Sequence, residues 1–168
     1  GAGVRAARME KVTVDDVENR PNPLGVHGVR LPISRALGTE DVALVEYELE
    51  PGEQFSGGLH THHDQEEIFY VLDGTATFEV GEDREEVTVD EGQVIRFPPG
   101  EFQNGHNHSE ETVRAVAVGA PGARHNWDDL ESLAPCAECG EETSHSVRKP
   151  NEDGVMQLVC NDCGNEMF

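Results

Sequence analysis

The chain has 168 residues, enough for one or two domains, and carries 34 acidic side chains against 12 Lys and Arg, a formal net charge of -22. Nucleic acid is a poor partner for such a surface, because phosphate contacts need a basic patch. No apolar run approaches the roughly 20 residues of a membrane-spanning helix.

The acids are spread along the chain, and Lys11 and Lys149 are the only lysines. Two readings follow. One is adaptation to very high salt, where the Debye length shrinks to about 3 Å and self-repulsion is screened. The other is a surface for a basic partner. Even spread and scarce lysine favour the first, which implies a halophilic archaeon as the source. The start, Gly1 to Arg8, lacks the apolar stretch of a signal peptide. Met9 reads as the natural start, and the expected location is cytoplasmic.

Residues 10–41 contain three prolines and polar turns, and are expected to supply edge strands and covering loops. Val42 to Leu49 is the first clear strand, ended by Pro51-Gly52. Ile68 to Leu72 is nearly all apolar and rich in β-formers, so it is predicted as a buried strand closed at Asp73-Gly74. Thr75 to Val80 alternates; Gly81 to Arg84 turns; Glu85 to Val89 returns. Asp90-Glu91-Gly92 leads into Val94 to Phe97, and Pro98-Pro99-Gly100 breaks the chain. Thr112 to Val118 is the last strand of this block. Short strands at this even spacing predict an all-β barrel or sandwich. Phe69, Val71, Phe78 and Phe97 are its expected core. Asn126 to Leu133 is predicted as a short helix, capped by Asn126, with Asp128 and Asp129 in its first turn and Pro135 closing it.

The chemistry concentrates in His60-Thr61-His62-His63-Asp64-Gln65-Glu66-Glu67. Side chains of a strand alternate, so His60 and His62 share a face. Glu67 follows a polar turn. Two imidazoles and a carboxylate converging on one point form a facial triad for a divalent transition metal, with positions open to substrate. Glu66 is expected to be surface charge and His63 a turn residue. His27, His125 and His145 have no motif around them and are expected on the surface. Arg96 and Arg114 are expected to point outward and pair with acids.

These residues resemble the cupin, a double-stranded β-helix, over about residues 42–118. His60, His62, Glu67 and Gly74 fit the first cupin motif; Gly92, Pro98, Gly100 and Asn107 fit the second. The resemblance implies a metal held by two His, one Glu and one further His. Gln103 stands at that last position. Either its amide oxygen binds the metal or it hydrogen-bonds a metal-bound water. His106 and His108 lie on the opposite strand parity and would need a bulge at Gly105 to reach the metal. Some cupins have lost their metal altogether. Small cupins also commonly dimerise through edge strands, which implies a homodimer.

Cys136-Ala137-Glu138-Cys139-Gly140 and Cys160-Asn161-Asp162-Cys163-Gly164 are two Cys-x-x-Cys-Gly knuckles, twenty residues apart. Four thiolates in this pattern suit tetrahedral zinc, and a full thiolate shell makes the site structural. A redox pair is the alternative, but such a pair normally opens a helix. Thr143 to Arg148 and Val155 to Val159 are predicted strands around a turn at Asn151 to Gly154. Residues 135–168 contain few large apolar side chains, so zinc would supply much of their folding free energy. The segment resembles a zinc ribbon. Seven acids against Arg148 and Lys149 leave it at net -5, better suited to a protein contact or a lid than to nucleic acid.

The expected architecture is therefore all-β: a cupin barrel over residues 9–125, a short helical linker over 126–134 and a zinc ribbon over 135–168. The expected cofactors are one divalent metal (Fe, Mn, Ni or Zn) at His60, His62, Glu67 and Gln103, and one structural Zn at Cys136, Cys139, Cys160 and Cys163. The expected function is binding of, or action on, a small molecule inside the barrel, by dioxygenase-type or isomerase-type chemistry. The alternative is a non-catalytic ligand-binding or regulatory protein whose ribbon docks a protein partner.

Overall fold

The computed structural model describes residues 8–124, 127–148 and 157–167. The strands are β1 (Val29–Leu31), β2 (Ala43–Leu49), β3 (His60–His62), β4 (Glu66–Asp73), β5 (Thr75–Val80), β6 (Glu85–Asp90) and β7 (Val94–Phe97), followed by β8 (Gln103–His106), β9 (Val113–Ala120), β10 (Leu130–Cys136), β11 (Glu141–Arg148), β12 (Gln157–Cys160) and β13 (Glu166–Met167). One short helix, α1 (Ile33–Leu37), precedes β2. They form a five-stranded sheet, β1-β2-β9-β4-β7, and an eight-stranded sheet, β13-β12-β11-β10-β3-β8-β5-β6. This is the cupin double-stranded β-helix followed by a small cysteine-bearing β module.

Period-2 alternation explains why the strands lie as they do. Along β4, Phe69 and Val71 are buried while Tyr70 between them is 44% exposed. The core between the sheets is built on Phe55, Phe69, Phe78 and Phe97, whose neighbouring ring centroids lie 5.0–6.2 Å apart. The pairs are tilted or edge-on except Phe55 and Phe78, which stack at 14°, and all lie within the range of favourable aromatic packing.

Two glycines are required by this packing. A Cβ on Gly105 would lie 2.5 Å from Phe55 and 2.6 Å from Phe78, so β8 can pass the aromatic cluster only without a side chain there. Gly105 makes no bulge; it sits in regular register opposite Phe78. Gly74 has φ +81°, and a Cβ there would be 2.8 Å from the Thr112 carbonyl oxygen. The chain crosses there from the five-stranded sheet to the eight-stranded one. Asn107 is fully buried; its amide donates to the carbonyls of Leu49 and Glu111, and its oxygen accepts from the Ser109 N–H. Its place in the second motif is thus a loop clamp.

The structure corrects the region after β9. The short helix expected over 126–133 is a single 3-10 turn at Trp127–Asp129, and Leu130–Cys136 is strand. An eight-residue helix is marginal on its own, whereas this stretch finds backbone partners on both sides, β3 and β11. Pro135 does not end the element; it lies in β10 opposite Glu142, beyond the part paired to β3. One edge of the strand is open there, so a residue without an N–H is tolerated. The expected linker therefore joins barrel and cysteine module into one sheet. β11 and β12 confirm the strands expected at 143–148 and 157–159; the Asn126 cap, the turn at 151–154 and residues 155–156 lie outside the described residues.

Candidate metal centres

β3 brings His60 and His62 from the eight-stranded sheet, and β4 brings Glu67 from the five-stranded sheet. The three ligand atoms lie within 4.8 Å of one another. His62 Nε2 stands 3.7 Å from Glu67 Oε2, and the two imidazoles are 5.1 Å apart and perpendicular at 89°. Two ligands about 2.1 Å from one ion stand about 3.0 Å apart at a right angle and about 3.4 Å apart in a tetrahedron. Closing a few tenths of an ångström would bring this pair onto an ion.

His60 is held in the tautomer a metal needs. Its Nδ1 lies 2.9 Å from the Gly58 carbonyl, which only accepts, so Nδ1 carries the proton and Nε2 keeps the lone pair. Behind the ring, Ser56 Oγ sits 3.2 Å from Nδ1 and donates to Asn104 Oδ1 at 2.8 Å; Asn104 in turn donates to Gln54 at 2.9 Å. No motif in the sequence marks this support, because Asn104 comes to His60 only by the pairing of β8 with β3, and Gln54 and Ser56 lie in the irregular stretch before β3.

Burial raises the Glu67 carboxyl to about 7, against the opposing pull of its hydrogen bond from Gln103. A nearby cation would hold it ionised. Gln103 is buried, and its Nε2 donates to Glu67 Oε2 at 3.2 Å. Its amide therefore orients the carboxylate. Thr61, His62, Glu67, Phe97, Glu101 and Gln103 border a cavity of about 10 Å³, room for one water or one ion.

His106 is not part of this cluster. It stacks on His108 with centroids 5.0 Å apart and reaches Glu79 at 3.2 Å, the opposite face predicted by its parity. His27 and His145, expected on the surface, are buried. His27 Nε2 accepts the Asn22 N–H and Nδ1 donates to the Gln54 carbonyl, so the ring ties loops together. His145 Nδ1 donates to the Thr143 carbonyl. Single histidines without a motif give no sign of burial, which here comes from long-range packing. His125 lies outside the described residues. Arg96 pairs with Glu66, and Arg114 with Asp73 and Glu46, as expected for outward arginines.

The four cysteines form a second cluster, their sulfurs within 4.8 Å of one another. Cys136 and Cys163 sulfurs lie 3.6 Å apart, and Cys139 and Cys160 sulfurs 3.9 Å. Four sulfurs at about 2.3 Å from one zinc stand about 3.8 Å apart, so these spacings fit tetrahedral thiolate ligation. The knuckles are alike: Gly140 N–H donates to Cys136 O and Gly164 N–H to Cys160 O, each at 2.9 Å, and both glycines have positive φ. The Thr143 hydroxyl lies 3.1 Å from Cys160 Sγ. That contact, with the backbone amides of Cys163 and Asp162, pulls the Cys160 thiol down to about 6. A thiolate is the form that ligates metal.

Residues 45–119 match the cupin domain family. No curated protein matches the sequence. Among solved structures, a sugar phosphate isomerase of a cupin superfamily from Silicibacter pomeroyi is similar over 94% of this chain and 92% of its own, at 20% identity and TM-score 0.60. A polyketide cyclase from Streptomyces resistomycificus is similar over 77% and 89%, at 19% identity and TM-score 0.63. A protein with a double-stranded β-helix domain from Klebsiella pneumoniae is similar over 78% and 98%, at 20% identity and TM-score 0.57. At these identities the likeness is one of fold. Residues 45–119 thus match the cupin domain family, and the fold around them is the cupin double-stranded β-helix.

Proposed function

We propose that the barrel holds one divalent transition metal on His60, His62 and Glu67, and that it binds or acts on a small molecule there. The observation that carries this is the meeting of two imidazoles and one carboxylate from opposite sheets within 4.8 Å. Three protein ligands leave coordination positions for a substrate. A bound ion would supply Lewis acidity or a place for dioxygen, which suits isomerase-type or dioxygenase-type reactions. Gln103 holds the carboxylate, the Ser56–Asn104–Gln54 chain holds His60, and Phe97 excludes water from one wall. A substrate would bind outside this cavity, because the cavity itself takes no more than an ion or a water.

A second reading is a non-catalytic sensor whose cysteine module, as a zinc ribbon, docks a protein partner. The narrow cavity and the amide at the fourth ligand position favour it. In either reading the barrel (9–125) and the module (135–168) are the working units. The exposed cross-strand pair Tyr70 and Val94 beside the β7 edge suits a second copy of the chain.

Metal analysis of protein purified without chelator in high salt tests the reading. Two metals per chain are expected, one removable without unfolding; one zinc per chain with nothing in the barrel would overturn it. The charge of -22 also fits a cytoplasmic protein of a halophile. Raising KCl from 0.1 to 1 M shortens the Debye length from about 10 to about 3 Å. The thermal midpoint is then expected to rise by about 5 °C or more, measured by calorimetry. A flat or falling midpoint would point instead to a surface made for a basic partner.

A further inference from the structure

The strand that carries both histidines pairs more with β10, the strand that runs into the cysteine module, than with the barrel strand β8. β3 has one register pair with barrel strand β8, His60↔Gln103, and one further backbone bond from the barrel, Gly100 N–H to the His62 carbonyl at 3.2 Å. With β10 it pairs through His60↔Ser132, Thr61↔Glu131 and His62↔Leu130. The flanks repeat this bias. Leu133 N–H donates to the Leu59 carbonyl at 2.9 Å, and His63 N–H to the Asp129 carbonyl at 2.8 Å. Ser132 Oγ donates to Leu59 O, and the His63 ring meets Glu131 Oε2 at 2.7 Å. Glu131 also accepts from the Ser144 hydroxyl of β11, so its carboxylate bridges the barrel strand to the module.

β10 in turn depends on the cysteines. It ends at Cys136 and pairs along its length with β11, which places His145 opposite Cys160. The module is too small to fold on apolar burial alone, and metal ligation would supply its folding free energy. A three-residue strand cannot order itself either, since each residue costs about 1–2 kcal/mol of backbone entropy. Much of the order of β3 is therefore borrowed from β10, and that of β10 from the cysteine cluster.

We propose that metal occupancy of the Cys136–Cys139–Cys160–Cys163 cluster sets the order of β3 and thereby the affinity of the His60–His62–Glu67 centre for its own metal. The metal-affinity part rests on the barrel reading above; the strand-order part does not. By linkage, a metal in the barrel tightens the cysteine cluster by the same factor.

The test displaces zinc from the full-length protein with an organic mercurial, which caps the thiolates, and restores it with excess thiol and a single equivalent of zinc, since more would compete with Mn(II) for the imidazoles. A Cys139→Ser, Cys163→Ser double variant serves as a second route. Amide hydrogen exchange reads the strand, and Mn(II) titration followed by electron paramagnetic resonance reads the barrel, since Mn(II) prefers nitrogen and oxygen ligands to thiolates. On displacement, protection over residues 59–63 is expected to fall while β4 and β9 keep theirs, Mn(II) binding is expected to weaken about tenfold or more, and zinc should restore both. Unchanged protection over 59–63 overturns the proposal, as does loss of protection through β4 and β9 together. Protection that falls at 59–63 in a protein that never binds Mn(II) supports the strand coupling and overturns the barrel-metal reading.

Discussion

A His60→Ala, His62→Ala double variant is expected to keep its cysteine-bound zinc and lose the barrel metal, with affinity down by at least about 100-fold. Supporting residues alone are worth 10–100-fold at metal sites, and this variant removes two ligands outright. Both histidines are half-buried and outside the aromatic core, and His62 borders the cavity, so the fold should persist. Equilibrium dialysis with metal analysis reads the result, and circular dichroism checks the fold. Full metal content in the variant would sink the site. Gln103→Ala is the graded companion. It leaves the His60, His62 and Glu67 side chains in place but removes the amide that donates to the Glu67 carboxylate. A loss of about 10–100-fold is expected. A larger loss, matching that of a missing histidine, would mean that the Gln103 oxygen binds the metal directly.

Phe78→Ala is expected to cost about 3–5 kcal/mol of stability, a large part of the total for a domain of this size. Phe78 is fully buried and its ring neighbours Phe55, Phe69 and Phe97. Truncation leaves a cavity bounded by three other rings that have little freedom to close it. The neighbouring glycine makes the opposite error available: Gly105→Ala would push a methyl group into the same rings and is expected to cost about 1–3 kcal/mol. Chemical denaturation in high salt reads both. A Phe78→Ala loss below about 1 kcal/mol would mean that the aromatic cluster is not the structural centre.

Much of the site was legible because its signals are local. His60 and His62 share a face through strand alternation, and the cysteines of each knuckle are brought together by a two-residue gap that a tight turn satisfies. Phe69, Phe78 and Phe97 followed from the same alternation, whereas Phe55, in the bend before β3, did not. The miss at 126–133 has a physical cause. The acids Asp128 and Asp129 before Leu130 and Leu133 look like a helix start, yet the partners that make the segment a strand come from residues 59–63 and 141–146. Neither is visible in a local window. The same holds for His27 and His145, whose burial is decided by chain passing far away in sequence.

The amino-acid sequence by itself determined the class of fold, the two clusters of ligand-type side chains and the acidic surface, because these depend on residue type and short-range periodicity. Only the tertiary structure decided that Gln103 clasps Glu67, that His106 turns to Glu79, and that β10 carries the histidine strand into one sheet with the cysteines. Those outcomes depend on cross-strand register, which is set by packing and hydrogen bonding between segments far apart in the chain.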